Sequence, residues 1–516
     1  MPARTSIAPV VPTPLARVEL SDLARRGTLR AAVIAPAEAT EDAGERESAD
    51  EVWLGPGAEA LLGDWQPPAE LTGKAGELHP VPAGAVSRSA ARSWLVGVGA
   101  RRPVDWRTAG AVLARAADEA LSAEASAAQR VVEFSLPTEI TAEELEALVL
   151  GLLLGGYRFR VTEQAAKPKV RTVRLHIAEP SEPLRAALQR ATVLASATAL
   201  TRDLANAPSD LKDPAWLADI ASKVGGAVTG LAVTVRDEHW LTEQRFGGML
   251  AVGGGSSRPP RLIELAWRPR GAKGPHLVIV GKGITFDTGG LSLKRGPGMQ
   301  LMRTDMAGGG AVIAALRAIA ELQLPIRVTG LVPAAENHVS GSSYRPGDVV
   351  RHYGGRTTEV LNTDAEGRMV LADGLAYAVR ALKADVLVDV ATLTGAMKVT
   401  LGVRTGGLFA STDELAAQVS AAGAAVGEAW WRMPLLDSAV EDITSDIADA
   451  RQMGRGPHPS SIHAALFLRE FTAGLPWAHL DIAGPARADA AYAEVTAGAS
   501  GFAARTLVAL AESVAG

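Results

Sequence analysis

The chain lacks cysteine altogether, although it has 516 residues. This absence excludes disulfide bonds, cysteine-ligated zinc and a cysteine nucleophile. The chain also lacks a long apolar run: the longest, around Leu148 to Leu154, is far shorter than the roughly 20 residues that a membrane helix needs. No apolar signal core is present in the first residues. We therefore expect a cytoplasmic protein that has no membrane partner.

Net charge is also small, at −5 for pH 7. Such a value, without a basic aromatic patch, argues against a nucleic acid as the main partner. Two common hydrolase motifs are missing: there is no H-E-x-x-H for a histidine-ligated zinc and no G-x-S-x-G for a serine nucleophile. The nine histidines show no ligand spacing. We expect His458 and His463, which lie on either side of Pro459, to be ordinary loop or helix histidines.

What the chain does have is carboxylates in two glycine-containing stretches. In the first, Asn362-Thr-Asp-Ala-Glu-Gly-Arg368, the charged residues Asp364, Glu366 and Arg368 alternate, so an extended backbone would put them on one face. Apolar residues precede this triplet and a helical pattern follows it, which indicates a strand-to-helix turn, a usual place for a site in an α/β sheet. Two carboxylates this close need a positive charge between them, and a divalent metal is the first candidate.

The second stretch follows an apolar strand and contains the candidate residues Lys282, Asp287, Lys294 and Asp305. Its glycines allow backbone to approach a small ligand closely. The two stretches together offer four carboxylates, whose charge would balance two divalent ions such as Mn²⁺, Mg²⁺ or Zn²⁺. From local sequence alone, Lys282 could instead bind phosphate, although the Walker pattern is absent, and Lys294 could be a surface lysine.

These stretches resemble the signatures of the leucyl aminopeptidase, or cytosol aminopeptidase, family. The four residues of the second stretch follow the family's spacing of five, seven and eleven residues, and Arg345-Pro-Gly-Asp348 and Ala391-Thr-Leu-Thr-Gly-Ala396 match further motifs. The resemblance is strong over residues 180–516. It implies a metal-dependent enzyme that removes the N-terminal residue, preferably leucine or another apolar residue, from peptide substrates. It also implies a homohexamer.

The resemblance assigns a role to each candidate residue. Two divalent ions per subunit, Mn²⁺ or Zn²⁺, would be held by Lys282, Asp287, Asp305, Asp364 and Glu366. Lys282 would have to bind as a neutral amine. Lys294 would act as an electrophile toward the substrate carbonyl, and Arg368 would hold a bicarbonate that serves as general base. The substrate would contact Met302, Asn362, Leu393, Thr394 and Gly395.

The order of elements predicts an α/β fold with two domains. Residues 1–170 would form a smaller N-terminal α/β domain, and residues 171–205 a linker strand and a connecting helix. Residues 206–516 would form a larger C-terminal catalytic domain for the two metals, with a central mixed sheet flanked by helices. One helix is predicted over residues 109–127 and another over residues 142–154, with Thr141 as its cap and Glu144 three residues on. Residues 38–51 are expected to form an acidic, solvated loop.

Three other functions stay open. One is a secondary DNA-binding or regulatory role, which some members of the family have. Another is a non-catalytic homologue, against which the complete set of ligand residues argues. The third is a different dinuclear hydrolase, such as a phosphoesterase, whose sites usually add histidine ligands. Residues 454–462 depart from the family pattern where the rim of the substrate pocket is expected, which bears on side-chain preference rather than on metal chemistry.

Overall fold

The structure, a computed structural model, describes residues 11–22, 29–36, 52–82, 92–121, 125–126, 128–162 and 168–515. The chain divides into two compact units. The large unit comprises chiefly Leu200–Ala488 and Gly498–Gly516, and the small unit comprises Pro12–Ala199 and Asp489–Ala497. The acidic loop expected at residues 38–51 lies outside the described residues. None of the described helices combines the length and the apolarity needed to cross a membrane.

The small unit is built on a sheet of seven described strands. They are Arg17–Ser21 (β1), Leu29–Pro36 (β2), Val52–Leu54 (β3), Leu78–Val81 (β4), Arg92–Gly97 (β5), Val131–Ser135 (β6) and Thr172–His176 (β7). Their order is β1-β7-β6-β2-β5-β4, with β3 paired to β2. β3 and β4 are antiparallel to their neighbours and the other pairs are parallel. Parallel pairs need crossover connections, which the alternation of strands and helices supplies.

Helices of the small unit are Ala58–Leu62 (α1), Pro103–Ala120 (α2) and Ala142–Gly155 (α3). The predicted cap of α3 is confirmed, because Thr141 Oγ1 accepts a hydrogen bond from the Glu144 amide and the Glu144 carboxylate accepts one from the Thr141 amide. The prediction for residues 109–127 was wrong at both ends. α2 begins earlier, at Pro103, because proline suits the first helical position. A fourth helix, Glu182–Asn206 (α4), contains the boundary between the two units.

The large unit contains a mixed sheet of nine described strands, in the order β17-β16-β19-β15-β10-β12-β9-β8 with β11 paired to β12. They are Leu231–Arg236 (β8), Arg261–Trp267 (β9), Leu277–Gly281 (β10), Gly283–Asp287 (β11), Val328–Asn337 (β12), Val386–Ala391 (β15), Thr405–Ala410 (β16), Ala429–Arg432 (β17) and Trp477–Asp481 (β19). Smaller pairings join Val349–Arg351 (β13), Thr357–Glu359 (β14) and Ala450–Arg451 (β18), and Arg487–Ala488 (β20) with Gly498–Ala499 (β21). The four central strands β12, β10, β15 and β19 are mutually parallel.

The described α-helices of the large unit are Pro214–Gly226 (α5), Glu238–Glu243 (α6), Gly247–Gly253 (α7), Ala307–Glu321 (α8), Glu366–Arg380 (α9), Gly395–Leu401 (α10), Asp413–Val426 (α11), Ser460–Arg469 (α12) and Ala504–Ala515 (α13). Two of them, α8 and α9, cover opposite faces of the central strands. Val280 touches Gly374 of α9, whereas the next residue, Gly281, faces Gly309 of α8. Successive strand residues point to opposite faces, so α8 and α9 lie on different sides. Every residue of β10, β12 and β19 is buried, as the apolar runs predict.

The carboxyl ends of the central strands bring distant parts of the sequence together. Lys282 directly follows β10, and its amide donates to Val390 O of β15 at 3.0 Å. Asp481 ends β19, and its carboxylate accepts from the Leu393 amide at 3.2 Å. In α/β sheets this edge is where ligands bind. The mixed sheet with helices on both faces confirms the predicted α/β fold.

Candidate metal centre

A first group of charged side chains surrounds Lys282 at the edge just described. Its Nζ lies 2.8 Å from Asp305 Oδ2 and 2.8 Å from Glu366 Oε1. All three side chains are buried. Glu366 is the first residue of α9, where the positive end of the helix dipole favours a carboxylate. Three of the residues that the sequence predicts as metal ligands therefore converge.

A second group surrounds Lys294, whose Nζ lies 2.7 Å from Asp287 Oδ2 and also pairs with Asp364 Oδ1. Asp287 ends β11, and its other oxygen accepts hydrogen bonds from the Gly289 amide and from Asn337 Nδ2, both at 2.8 Å. Two donors therefore fix the Asp287 carboxylate and leave Oδ2 facing the ammonium group. The second group thus adds Asp287 and Asp364 to the two carboxylates of the first group.

The carboxylates fit a divalent cation. Asp287, Asp305 and Glu366 each offer an oxygen, and these atoms lie within 4.8 Å of one another. Glu366 Oε2 is buried and accepts no hydrogen bond from the described residues. An ionised oxygen that is buried without a donor is costly unless a cation compensates for it. The four carboxylates can carry more negative charge than the two ammonium groups neutralise. An oxygen-rich set of this kind suits Mn²⁺ or Mg²⁺.

Burial and mutual repulsion shift the carboxyl groups toward their neutral forms. Burial, with the nearby charge of Asp287, raises the pKa of Asp364 to about 6. Burial likewise raises the pKa of Asp305 well above its ordinary value, against the opposing pull of Lys282. A cation at this place would reverse both shifts, because an opposite charge favours the ionised carboxylate.

The two lysines keep their protons in the metal-free centre. Burial works to lower the pKa of Lys282, but the charges of Asp305 and Glu366 outweigh it and raise the pKa above the ordinary lysine value. For Lys294 burial is likewise outweighed, chiefly by Asp287. A neutral Lys282 is thus not what the carboxylates alone produce. A nearby dication would favour the neutral amine, because it repels an ammonium group.

Two glycines leave the space that these side chains occupy. A Cβ at Gly367 would lie 2.6 Å from Lys282 Cε and 2.7 Å from Nζ. A Cβ at Gly289 would lie 3.0 Å from Asp364 Oδ1, and its φ of +88° is a conformation that side chains rarely adopt. The glycines of both sequence stretches therefore allow these side chains to approach the backbone closely.

The alternating triplet does not lie on one extended face, and that prediction was wrong. The strand ends at Glu359, and Glu366 and Arg368 belong to the first turn of α9, where residues two apart diverge. Arg368 pairs with none of the four carboxylates among the described residues. Its Nη1 donates to the Gln452 carbonyl oxygen at 2.5 Å, and burial lowers its pKa to about 10.

The predicted substrate-binding residues lie near the same elements, and none of them forms a hydrogen bond with Lys282 or Lys294 in the described chain. Asn362 Oδ1 accepts from the Asp364 amide at 2.8 Å. Met302 is half-buried in the short 3₁₀ helix before Asp305. Half-buried Leu393 and buried Thr394 directly precede α10, and exposed Gly395 is its first residue.

Four further residues hold the centre in place and were not assigned roles from the sequence: Asn337, Thr392, Gln452 and Asp481. Thr392 Oγ1 donates to Asp305 Oδ1 at 2.7 Å, and Asp481 Oδ2 accepts from Thr394 Oγ1 at 2.6 Å. Gln452 is fully buried and bonds to three backbone groups of the Asn362 stretch. Asp481 lies in His479-Leu-Asp-Ile-Ala-Gly484, a stretch that also resembles a motif of the family, but nothing in the local sequence distinguishes Gln452.

Sequence comparison places the whole centre within a known domain. The sequence model described as "Cytosol aminopeptidase family, catalytic domain" matches residues 199–508. A relative named "Probable cytosol aminopeptidase" from Syntrophotalea carbinolica is 41% identical over 451 residues, which are 86% of this chain and 89% of the relative. Another of that name, from Leifsonia xyli subsp. xyli, is 45% identical over 401 residues, or 75% of this chain and 79% of the relative.

Solved structures agree with these matches. The bottromycin maturation enzyme BotP in complex with Mn is 35% identical, with a TM-score of 0.80 over 95% of this chain and all of that chain (100%). A mutant of tomato leucine aminopeptidase is 28% identical, with a TM-score of 0.83 over 99% of each chain. Both similarities extend over nearly the whole length of the chain.

Proposed function

Since this chain belongs to the cytosol aminopeptidase family and is a metal-dependent aminopeptidase, we propose that it uses two divalent ions to remove N-terminal leucine or another apolar residue from peptides. The observation that carries the proposal is the convergence of four carboxylates on two lysines at the carboxyl edge of the sheet. Catalysis would be confined to residues 206–516.

The metal ligands would be the residues of the two groups that fit a cation: Lys282, Asp287, Asp305, Asp364 and Glu366. Manganese has support from the Mn complex of BotP, a similar chain, and zinc is the alternative. When bound, the ions would supply a water molecule of lowered pKa and a Lewis acid for the peptide carbonyl. The unpaired, buried Glu366 Oε2 is the atom that most needs such a partner.

Lys294 is proposed as the electrophile. Asp287 and Asp364 favour its protonated form, and its side chain is 23% exposed, so a substrate can reach the ammonium group. An N–H donor at this position would bind the carbonyl oxygen as negative charge develops on it. Fixed donors of this kind stabilise the transition state more than the ground state.

Arg368 is proposed to hold a bicarbonate as general base. One of its nitrogens is anchored on the Gln452 carbonyl, while Nε is buried and donates no hydrogen bond within the described chain. A guanidinium binds planar oxyanions through parallel N–H groups, so an anion such as bicarbonate would satisfy the unused donor. The role is carried over from the family resemblance, and the unused donor supports it.

The substrate would lie against Met302, Asn362, Leu393, Thr394 and Gly395. A thioether is apolar and pliable, so Met302 suits aliphatic side chains. Asp481 holds the Leu393 and Thr394 amides in fixed positions, which would present the start of α10 to the substrate backbone. We expect turnover of Leu-p-nitroanilide to exceed that of the Asp and Lys analogues, and equal rates would contradict the apolar preference.

A direct test removes single ligands. We expect Asp364→Ala and Glu366→Ala each to lower Leu-p-nitroanilide hydrolysis with added Mn²⁺ by at least about 100-fold, since losing even a supporting residue of a metal site costs up to that much. Glu414→Ala, an exposed acid in α11, serves as the matched control. Full activity in either ligand variant would contradict the assignment.

We also propose a homohexamer located in the cytoplasm, as the family resemblance implies. Light scattering tests the assembly: the expected mass is six times the 53.5 kDa of one chain. A monomeric mass would contradict the proposal. For the alternative of DNA binding, a salt-dependent gel shift is the discriminating measurement, because phosphate contacts weaken steeply with salt.

A further inference from the structure

A second cluster of ligand-type side chains occurs in the large unit, among residues that the proposed reaction does not use. Asp442 lies in the 3₁₀ helix Glu441–Ile443, His458 in the loop before α12, and His463 in α12 itself. Both rings point at one oxygen: His458 Nδ1 lies 2.6 Å and His463 Nε2 lies 2.8 Å from Asp442 Oδ2. The three ligand atoms lie within 4.8 Å of one another.

Hydrogen bonding alone would make these ordinary, satisfied histidines, as the sequence predicts. The geometry goes further, because two imidazole nitrogens and one carboxylate oxygen, from three separate segments, lie within 4.8 Å of one another. Two histidines and a carboxylate are a set that zinc uses, at about 2.0–2.2 Å from each ligand atom. Tetrahedral ligands at that distance are roughly 3.3 Å apart, so the two N···O separations of 2.6 and 2.8 Å need to widen by only about 0.6 Å.

The surroundings suit an ion that enters from solvent and is then held. The side chains of His458 and Asp442 are 26% and 15% exposed, whereas that of His463 is 5% exposed and fixed within its helix. The loop backbone lies against the ligands: a Cβ at Gly456 would lie 1.9 Å from Asp442 Oδ1, and one at Gly454 would lie 2.3 Å from the His463 ring. Two glycines thus let the loop close over this cluster.

We propose that Asp442, His458 and His463 form a separate cation site that binds Zn²⁺ or a similar imidazole-preferring dication, with a remaining position open to water. Imidazole nitrogen distinguishes this site from the oxygen-rich centre, which suits harder ions. The bound ion fastens the loop that follows Gln452 to α12. Because the Gln452 carbonyl receives Arg368, the ion would stabilise one wall of the catalytic region.

Metal counting on the full chain tests the proposal. Chelator-treated protein is dialysed against Zn²⁺, and bound zinc is measured by mass spectrometry for the wild type, His458→Ala and Asp442→Asn. We expect each variant to bind one ion fewer per chain, and His239→Ala, whose side chain is 87% exposed, to match the wild type. Unchanged zinc content in both cluster variants would overturn the proposal.

Two additions make the result independent of the main centre and of folding. The same variants are made in a Glu366→Gln background, where the deficit of one ion should persist although the main centre is weakened. The variants use the two partly exposed ligands rather than buried His463, and circular dichroism verifies their fold. In a zinc-soaked crystal, anomalous density between the three side chains is expected, and density confined to the lysine and carboxylate centre would refute the site.

Discussion

At the scale of single residues, the centre depends on which groups hold protons. Lys294 lies between Asp287 and Asp364, which favour its protonated form, next to the place where a carbonyl oxygen would become negative. Lys282 is more deeply buried and faces Asp305 and Glu366, so the same proton there opposes a ligand role until a cation displaces it. Two lysines with similar partners thus have different proposed tasks.

Removing the Lys294 side chain should affect the chemical step more than binding. We expect Lys294→Ala to lower kcat for Leu-p-nitroanilide by about 100-fold with a smaller change in KM, as the loss of a transition-state donor does. Steady-state kinetics measure both constants, and Arg295→Ala, at the exposed neighbouring position, is the control. An unchanged kcat would remove Lys294 from the mechanism.

The raised pKa of Asp364 should make Mn²⁺ binding depend on pH. Its pKa of about 6 means that the metal-free carboxyl group is ionised above pH 6 and carries a proton below it. An incoming cation must displace that proton, so we expect the apparent affinity to lose an additional factor of about ten per pH unit below pH 6. Calorimetric titrations from pH 5 to 8 measure the slope. Asp364→Asn should lack the change in slope, and a wild-type profile without one would contradict the assignment.

Sequence reasoning located the acidic residues but misjudged how they are presented. Asp287, Asp305 and Glu366 could be found because carboxylates next to glycines are unusual without a ligand. The contact between Lys282 and Glu366 could not be predicted from either stretch alone, because the two residues meet only after strands from distant segments pair. Gln452 and Asn337 are ordinary amides in the sequence, and their contacts exist only in the folded chain.

At the scale of elements, the start of α9 sets the position of the ligands. The helix begins at Glu366, so that residue lies at its positive end while Arg368 turns away toward Gln452. The apolar pattern that predicts this helix begins only after the charged triplet, since those residues carry no apolar periodicity. The cause of the earlier helix start lies in tertiary contacts. Lys282 contacts Glu366, and the Gln452 side chain bonds to the backbone just before the helix, so together they hold a turn that local helix propensity does not indicate.

A substitution of Gly367 tests how closely α9 must pack against the Lys282 side chain. Alanine favours a helix over glycine by about 1 kcal/mol, yet its Cβ would lie 2.6 Å from Lys282 Cε. We expect Gly367→Ala to fold with little change in melting temperature and to lose at least about tenfold in activity, since small displacements of catalytic groups are costly. Gly226→Ala, where an added Cβ meets nothing within 4 Å, is the control. Wild-type activity in Gly367→Ala would show that Lys282 adapts freely.

A substitution of Gln452 tests whether its side chain holds the backbone of the Asn362 stretch in place. Its Oε1 accepts from the Leu361 amide at 2.8 Å and the Asn362 amide at 2.9 Å, and its Nε2 donates to Ala365 O at 3.2 Å. Gln452→Ala leaves these groups unpaired, which should lower the free energy of unfolding by about 1–3 kcal/mol. Denaturant unfolding measures the loss. The exposed Gln418→Ala in α11 should be neutral, and equal stability of both variants would contradict a clamping role.

At the scale of the whole molecule, bound metal should stabilise the folded chain. A ligand that binds only the native state adds about 2.7 kcal/mol at one hundred times its dissociation constant. We expect the midpoint of thermal unfolding to rise with Mn²⁺ concentration in the wild type and much less in Glu366→Gln. Differential scanning calorimetry measures both, and a wild-type midpoint that is independent of Mn²⁺ would contradict a site in the folded state.

The fold class could be predicted as a whole because strands and helices alternate along the chain, and apolar runs such as β10 mark strands buried on both faces. The strand order could not be predicted, because β10 pairs with β12 and β15, and β19 inserts between β15 and β16, across long sequence separations. Such pairing depends on packing over the whole sheet rather than on any local pattern.

The bond between Arg368 Nη1 and the Gln452 carbonyl has an evolutionary consequence. Its acceptor belongs to the main chain, so a codon change at position 452 can alter the amide clamp but still leaves an oxygen for the guanidinium. Drift at that position would therefore erode loop rigidity before it disturbed the arginine. In a library of all substitutions at position 452, we expect many variants that lose thermal stability but keep catalytic activity.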